Sequence, residues 1–166
     1  MPDRSFLWVH IMKTISQFLG ADHKRCDGLF AITERSVEQG DWALAKTAFQ
    51  HFSDAQVHHL AMEETVLFPA FEKITGNTDG PTGVMRTEHK QMLDLMEQMD
   101  NAIEALDASN FFGYAETLNI MLQQHNMKEE SMLYPMTDKA LFAKCHEIID
   151  AMGHINNVIA ALDKVD

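Results

Sequence analysis

Apolar positions along the chain recur at helical spacing. Met85, His89, Met92, Met96, Met99, Ile103 and Leu106 step alternately by four and three residues, the seam of a packed helix. Tyr114, Leu118, Met121, His125, Lys128/Glu129 and Met132 repeat the pattern later, and Phe52, Ala55, His59, Met62/Glu63, Val66 and Ala70 show it earlier. His23, Cys26/Asp27, Phe30 and Val37 follow it more loosely. Sustained apolar–polar alternation is missing and β-branched residues are scattered, so strands are not expected.

Turn-forming residues divide these segments. Gly40-Asp41 closes the first, with Asp41 as helix cap, and Thr75-Gly-Asn-Thr-Asp-Gly-Pro81 is the strongest loop signal. Asp107-Ala-Ser-Asn110 is the third break. The pattern predicts a short helix at about 4–19, main helices at about 20–39, 42–74, 81–106 and 111–135, and a last helix at about 139–163. That is an all-α fold: one domain over 1–166, an up-down-up-down four-helix bundle with extra N- and C-terminal helices.

The seams carry histidines and glutamates where a bundle core wants Leu or Met. His59-Leu-Ala-Met-Glu63-Glu64-Thr-Val-Leu67-Phe68-Pro69 and His125-Asn-Met-Lys-Glu129-Glu130-Ser-Met-Leu133-Tyr134-Pro135 share the pattern H-x3-E-E-x2-L-[FY]-P at an offset of 66 residues. The same offset pairs Asp22-His23-Lys24 with Glu88-His89-Lys90. The core, about 20–136, therefore reads as two repeated helical hairpins. Residues at equal height on adjacent antiparallel helices lie symmetrically about their turn. The midpoints of His23/His59, His59/His89 and His89/His125 are 41, 74 and 107, each at a predicted turn. All four histidines thus share one level, with Glu63 and Glu129 one helical turn away, about 6 Å along the axis.

Six polar groups converging in a core are costly unless something satisfies them. A metal does so, taking neutral imidazole nitrogen and carboxylate oxygen as ligands. The candidate metal ligands are His23, His59, Glu63, His89, His125 and Glu129. They divide between two ions, His23 and His59 on one, His89 and His125 on the other, with Glu63 and Glu129 bridging.

Composition narrows the partners. Lys and Arg total 13 against 25 Asp and Glu, a formal net charge of −12. Such a chain is repelled by phosphate backbones and anionic lipid, so neither a nucleic-acid nor a membrane partner is expected. No run reaches the roughly 18 apolar residues of a membrane span. Two cysteines, Cys26 and Cys145, form no disulfide framework and no CxxC pair. With no leader pattern at the N-terminus, a cytoplasmic protein is expected.

The H…HxxxEE…H…HxxxEE arrangement resembles the hemerythrin-like, HHE cation-binding family, over about residues 20–136. The resemblance implies a non-heme diiron centre on the same six residues, two iron ions with an oxo or hydroxo bridge, and Zn or Mn as substitutes. Oxygen-carrying members have a further His one turn after the third-helix His, where this chain has Leu93, and an Asp five residues after the fourth-helix His, where this chain instead has Glu129 at four. The bacterial members are closer. The missing His leaves an open coordination position, with Leu93, Met96 and Met121 as its expected walls. The resemblance implies O2 or NO binding for sensing, storage or stress protection, without enzymatic turnover. A diiron oxidoreductase, or an iron donor repairing iron–sulfur clusters, acting on peroxide, NO or damaged clusters, is the alternative.

Other polar residues carry lesser expectations. Glu64 and Glu130 read as flanking groups that pair helices or support the ligands. Asp22 and Glu88 either orient an imidazole N–H or are solvated acids. Asp27 is one turn after His23 and is a candidate additional ligand, whereas His58 lies about 100° round the helix from His59 and is set aside. His10, His51, His146 and His154 have no repeat partner. Leu67-Phe68-Pro69 and Leu133-Tyr134-Pro135 read as packing followed by a helix stop or kink, with Tyr134 within reach of a ligand pocket.

Overall fold

The computed structural model describes residues 13–162, with side chains described to Ile155. Among the described residues the secondary structure is helical throughout, with no strand. Helix α1 spans Ile15–Glu38 and α2 Trp42–Met62; a π-helical turn, Glu63–Leu67, leads without a break into α3, Phe68–Thr75. Helix α4, Pro81–Glu104, and α5, Ala108–Lys128, repeat this, with a second π turn, Glu129–Leu133, and α6, Tyr134–Ala140. A three-residue 3-10 turn, Phe142–Lys144, introduces α7, Cys145–Leu162.

The 66-residue offset is exact at most boundaries, with the same chemistry at the starts of α2 and α5 and different chemistry at those of α1, a Thr14 capping box, and α4, Gly80 and Pro81. Asp41 and Asp107 cap α2 and α5, each carboxylate accepting from a backbone N–H three residues on, at 3.0 Å. The preceding turns place Gly40 and Leu106 at φ of 70° and 54°. Glycine enters that left-handed region freely, whereas a leucine there is strained. The repeat also clamps one hairpin to the other. Ser16 in α1 gives its N–H and hydroxyl to Asp138, and Thr82 in α4, its equivalent, gives its hydroxyl to Glu72 at 2.6 Å. Glu72 also accepts from Arg86, and this bond holds its carboxyl below the usual range.

Several details differ from the sequence expectation: the segment expected to end at 135 continues as α6 to Ala140, and the helix expected from about 139 starts at Cys145 after a 3-10 turn. The predicted break at 19/20 does not exist: Ile15 to Leu19 belong to α1, capped by Thr14 and Gln17, and the rest of the predicted 4–19 helix falls outside the described residues. Helix α5 starts at Ala108, because Asp107 already serves as cap and the next three residues form the first turn. Pro69 and Pro135 stop nothing. Each lacks the N–H of a normal helical bond, and the π turn absorbs the fault: Phe68 and Tyr134 donate instead to the carbonyls of Glu63 and Glu129, five residues back.

The π turns also move the seam. The α-helical pattern places Val66, Ala70 and Met132 inside, but one extra residue per turn shifts the buried face by one position. Leu67, Phe71 and Leu133 are buried in their stead, and Met132 is 56% exposed. Leu106, the last predicted seam residue of α4, lies in the turn and is exposed.

Helix α1 packs along α2, α4 along α5, α2 against α4 and α1 against α5. Two apolar clusters fill the bundle. One, toward the Gly40 and Leu106 turns, contains Phe30, Phe49, Phe52, Met92, Met96, Met99, Phe111 and Leu118. The other, at the far end, contains Ile15, Leu19, Met62, Leu67, Phe68, Met85, Leu133 and Tyr134, closed by Ile148 and Met152 of α7. Full burial of side chains of this size contributes about 1.5–3 kcal/mol each. Between the two clusters lies a layer that is not apolar.

Candidate metal centre

That layer holds His23 of α1, His59 of α2, His89 of α4 and His125 of α5, with Glu63 and Glu129 from the first positions of the two π turns. None of the six is more than 3% exposed. The rings of His23 and His59 lie 4.5 Å apart and those of His89 and His125 5.0 Å apart. Each glutamate reaches one histidine of either pair. Glu129 places Oε2 3.2 Å from His23 Nε2 and Oε1 3.0 Å from His125 Nε2. Glu63 Oε2 is 3.3 Å from His89 Nε2 and 3.7 Å from His59 Nε2.

The outward side of every ring is also taken. His23 Nδ1 meets Glu130 at 2.7 Å, and its equivalent His89 Nδ1 meets Glu64 at 2.7 Å. His59 Nδ1 meets Asp22 at 2.9 Å, and its equivalent His125 Nδ1 meets Glu88 at 2.8 Å. A carboxylate only accepts, so each Nδ1 carries the proton. Each Nε2, turned inward, is then the atom with a lone pair to offer a cation. Carboxylates behind the rings fix the tautomer and raise the basicity of a ligating nitrogen.

The alternatives left open for these acids are thereby decided. Glu64 and Glu130 reach across to the other hairpin, and Asp22 and Glu88 orient a histidine on the paired helix, not the one beside them in sequence. Two cations support the outer acids: Arg25 pairs with Asp22 at 2.7 Å and Lys128 with Glu88. Burial alone would raise the Asp22 carboxyl, but its bonds from His59 and Arg25 bring it down to about 2.

Four inward atoms have no hydrogen-bond partner: Glu63 Oε2, His89 Nε2, His125 Nε2 and Glu129 Oε1. They face one another as charge pairs, His89 against Glu63 at 3.3 Å and His125 against Glu129 at 3.0 Å, without hydrogen-bonding geometry, and buried atoms so placed are costly unless something else satisfies them. Glu63, His89, His125 and Glu129 can converge ligand atoms on one cation, and His23, His59 and Glu129 on a second. The charges agree. Six carboxylates face four imidazoles, and Arg25 and Lys128 offset only two of the six, so the cluster carries an excess of negative charge that favours a cation. The nitrogen and oxygen donors suit a transition metal.

A sequence profile of the hemerythrin HHE cation-binding domain matches residues 14–137. The chain belongs to the hemerythrin HHE cation-binding family. Comparison with curated proteins and with solved structures gave no match. For this family member, the fold and the buried His/Glu cluster together describe a metal-binding protein.

Without metal, the cluster holds its own counter-ions. Burial opposes a charge on His23, yet the bond and charge of Glu129, aided by Glu130 and Glu63, raise it to about 9. His89 is raised in the same way, against its burial, by Glu63 and Glu64. Glu129, itself resisted by burial, is held well below the carboxylate range by His125 and His23.

The remaining candidates fall outside the cluster. Asp27 borders a surface cleft that reaches His23 between α1 and α5, and desolvation raises its carboxyl. His58 faces a separate cleft with Asp22, Arg25 and His51. Cys26 is buried beside the centre, and desolvation pushes its thiol up to about 12, which leaves it inert. Leu93 is no wall of the centre: it is 41% exposed, while Met96 sits in the neighbouring apolar cluster. The group that sequence reasoning undervalued is Tyr134. Its hydroxyl lies among the inward atoms, 2.7 Å from Glu63 Oε1 and 2.9 Å from Glu129 Oε2.

Proposed function

We propose that the chain is a dinuclear non-heme iron protein that binds O2 or NO for sensing, storage or stress protection. The observation that carries this reading is the inward set of four imidazole Nε2 atoms and two carboxylates, orphaned in part, behind which every Nδ1 is held by an acid. In this reading one domain, folded as an up-down-up-down bundle, holds one ion on His23 and His59 and the other on His89 and His125. Glu63 and Glu129 bridge them, with an oxo or hydroxo group completing the pair.

The ligand balance favours reversible binding over strong oxidation. Only two carboxylates, Glu63 and Glu129, enter the inner set, so the higher oxidation state is less stabilised by carboxylate than in a carboxylate-rich site. A buried centre, with none of its six residues more than 3% exposed, suits a diatomic molecule better than a larger polar substrate. With a net charge of −12, nucleic acid and anionic membrane are not its partners, and the working compartment is the cytoplasm. The test is anaerobic reconstitution with Fe2+, followed by optical spectra on adding O2 or NO. The expected result is a new spectrum that reverses on removing the gas. Irreversible oxidation, or turnover of added peroxide, favours the oxidoreductase alternative.

A further inference from the structure

The two hairpins differ at one position inside the centre. Phe68 and Tyr134 are repeat equivalents, and neither is exposed. Phe68 stacks on His89 at 5.8 Å and 18°, and Tyr134 on His23 at 5.6 Å and 25°. Tyr134 therefore packs as its equivalent does and adds a hydroxyl. Packing alone does not call for one, since Phe68 fills the same place without it.

The hydroxyl oxygen touches four atoms: Glu63 Oε1 at 2.7 Å, Glu129 Oε2 at 2.9 Å, His23 Nε2 at 3.1 Å and His59 Nε2 at 3.4 Å. These belong to the four residues assigned to the first ion. A phenol has one hydrogen to give, so it cannot satisfy four neighbours as a donor. In an octahedral shell with bonds of about 2.1 Å, each ligand atom has four neighbours at roughly 3 Å. The four contacts of Tyr134 have that number and that spacing. Phe68 offers the other ion no such atom, and the unpartnered atoms Glu63 Oε2, His89 Nε2 and His125 Nε2 are on that side.

We infer that Tyr134 supplies a phenolate oxygen to the ion held by His23 and His59, leaving the ion on His89 and His125 one ligand short and open to the small molecule. The inference rests on the dinuclear reading above. On loading, the O–H bond of Tyr134 breaks, its proton passes to solvent, and an oxygen–metal bond forms; no electron is transferred.

Loading with ferric iron tests this without any activity measurement. A phenolate on Fe3+ gives a charge-transfer band in the visible and enhanced ring modes in the resonance Raman spectrum. The expected result is both signals in the native protein. Tyr134→Phe should abolish them while iron stays at two per chain, because Phe already serves at position 68. The chain has two tyrosines, so Tyr114→Phe leaves Tyr134 as the sole phenol. Signals that persist in Tyr114→Phe support the assignment even if Tyr134→Phe fails to fold. Phe68→Tyr should add a second phenolate and slow azide binding. Two irons per chain with no phenolate modes, or modes lost with Tyr114, would overturn the role of Tyr134 and leave the dinuclear reading intact. Fewer than two irons in the native protein would overturn that reading instead.

Discussion

Residues 15–75 and 81–140 build the same object twice, and the places where the copies agree or differ divide by function. They agree at the Asp41 and Asp107 caps, at both π turns, at four inward imidazoles, two inward carboxylates and four outward acids, though α1 starts on a Thr14 capping box and α4 on Gly80 and Pro81. They differ at the turns, where Gly40 stands opposite Leu106, and in the centre, where Phe68 stands opposite Tyr134. The agreement concerns groups that need a partner: a buried carboxylate or imidazole tolerates no substitute, because an unpaired one costs more than most contacts return. A turn residue affects only its own backbone, so a strained leucine is tolerated at a local cost. The lesson is that each candidate cation cluster draws ligands from both hairpins. Glu129 of the second hairpin meets His23 of the first, and Glu63 of the first meets His89 of the second.

That crossing makes the bridging positions the place to break the equivalence. Glu129→Ala should release both ions, since its two oxygens face different histidine pairs, and iron should fall from two per chain to well below one. His23→Ala should lower it only to about one, leaving the ion on His89 and His125. Metal analysis after gel filtration reads this directly; the reverse ranking would show that Glu129 serves a single ion.

The outer acids give a smaller, symmetric effect. Glu64→Ala and Glu130→Ala should each weaken iron binding about 10–100-fold, by freeing the Nδ1–H of His89 or His23. Competition against a chromophoric chelator measures it. Loss in one variant alone would mean that the two hairpins are equivalent in backbone but not in chemistry.

Much of this pairing was legible in the sequence, for a definite reason. A repeat of 66 residues carrying HxxxEE twice fixes both which residues face inward and the level they share. The six inward residues followed from spacing and the Asp41 cap from residue type, whereas the last helix, expected from about 139, begins only at Cys145. What was not legible depends on a backbone departure or on distance. The π turns have no periodic signature, so Val66, Ala70 and Met132 were placed one residue away from the true seam, and Pro69 and Pro135 read as a stop or kink rather than as the cause of a π turn. Asp22 lies beside His23 in the chain but serves His59, because the hairpin turns its side chain toward α2. Leu93 sits one turn from His89 yet points outward, next to Met92, which is fully buried. Tyr134 was visible as the polar member of an [FY] pair, but only the fold brings its hydroxyl to the other hairpin's Glu63.

The turns give the smallest effect and sharpen the comparison at the level of backbone alone. A left-handed conformation costs an L-residue about 1–2 kcal/mol, and glycine returns about 0.5–1 of that as lost chain entropy. Leu106→Gly should therefore stabilise the protein by up to about 1 kcal/mol, since Leu106 is 60% exposed and gives up little packing. Gly40→Leu should destabilise by a similar amount. Urea midpoints with unchanged slopes would establish both.

The central claim is that two hairpins share one dinuclear centre. The most direct measurement is iron content combined with Mössbauer spectroscopy of the native protein after reconstitution with 57Fe and oxidation. Two irons per chain with a diamagnetic ground state, the mark of ferric ions coupled through a bridge, are the predicted result. One iron per chain, or two irons that behave as magnetically isolated ions, would contradict the claim.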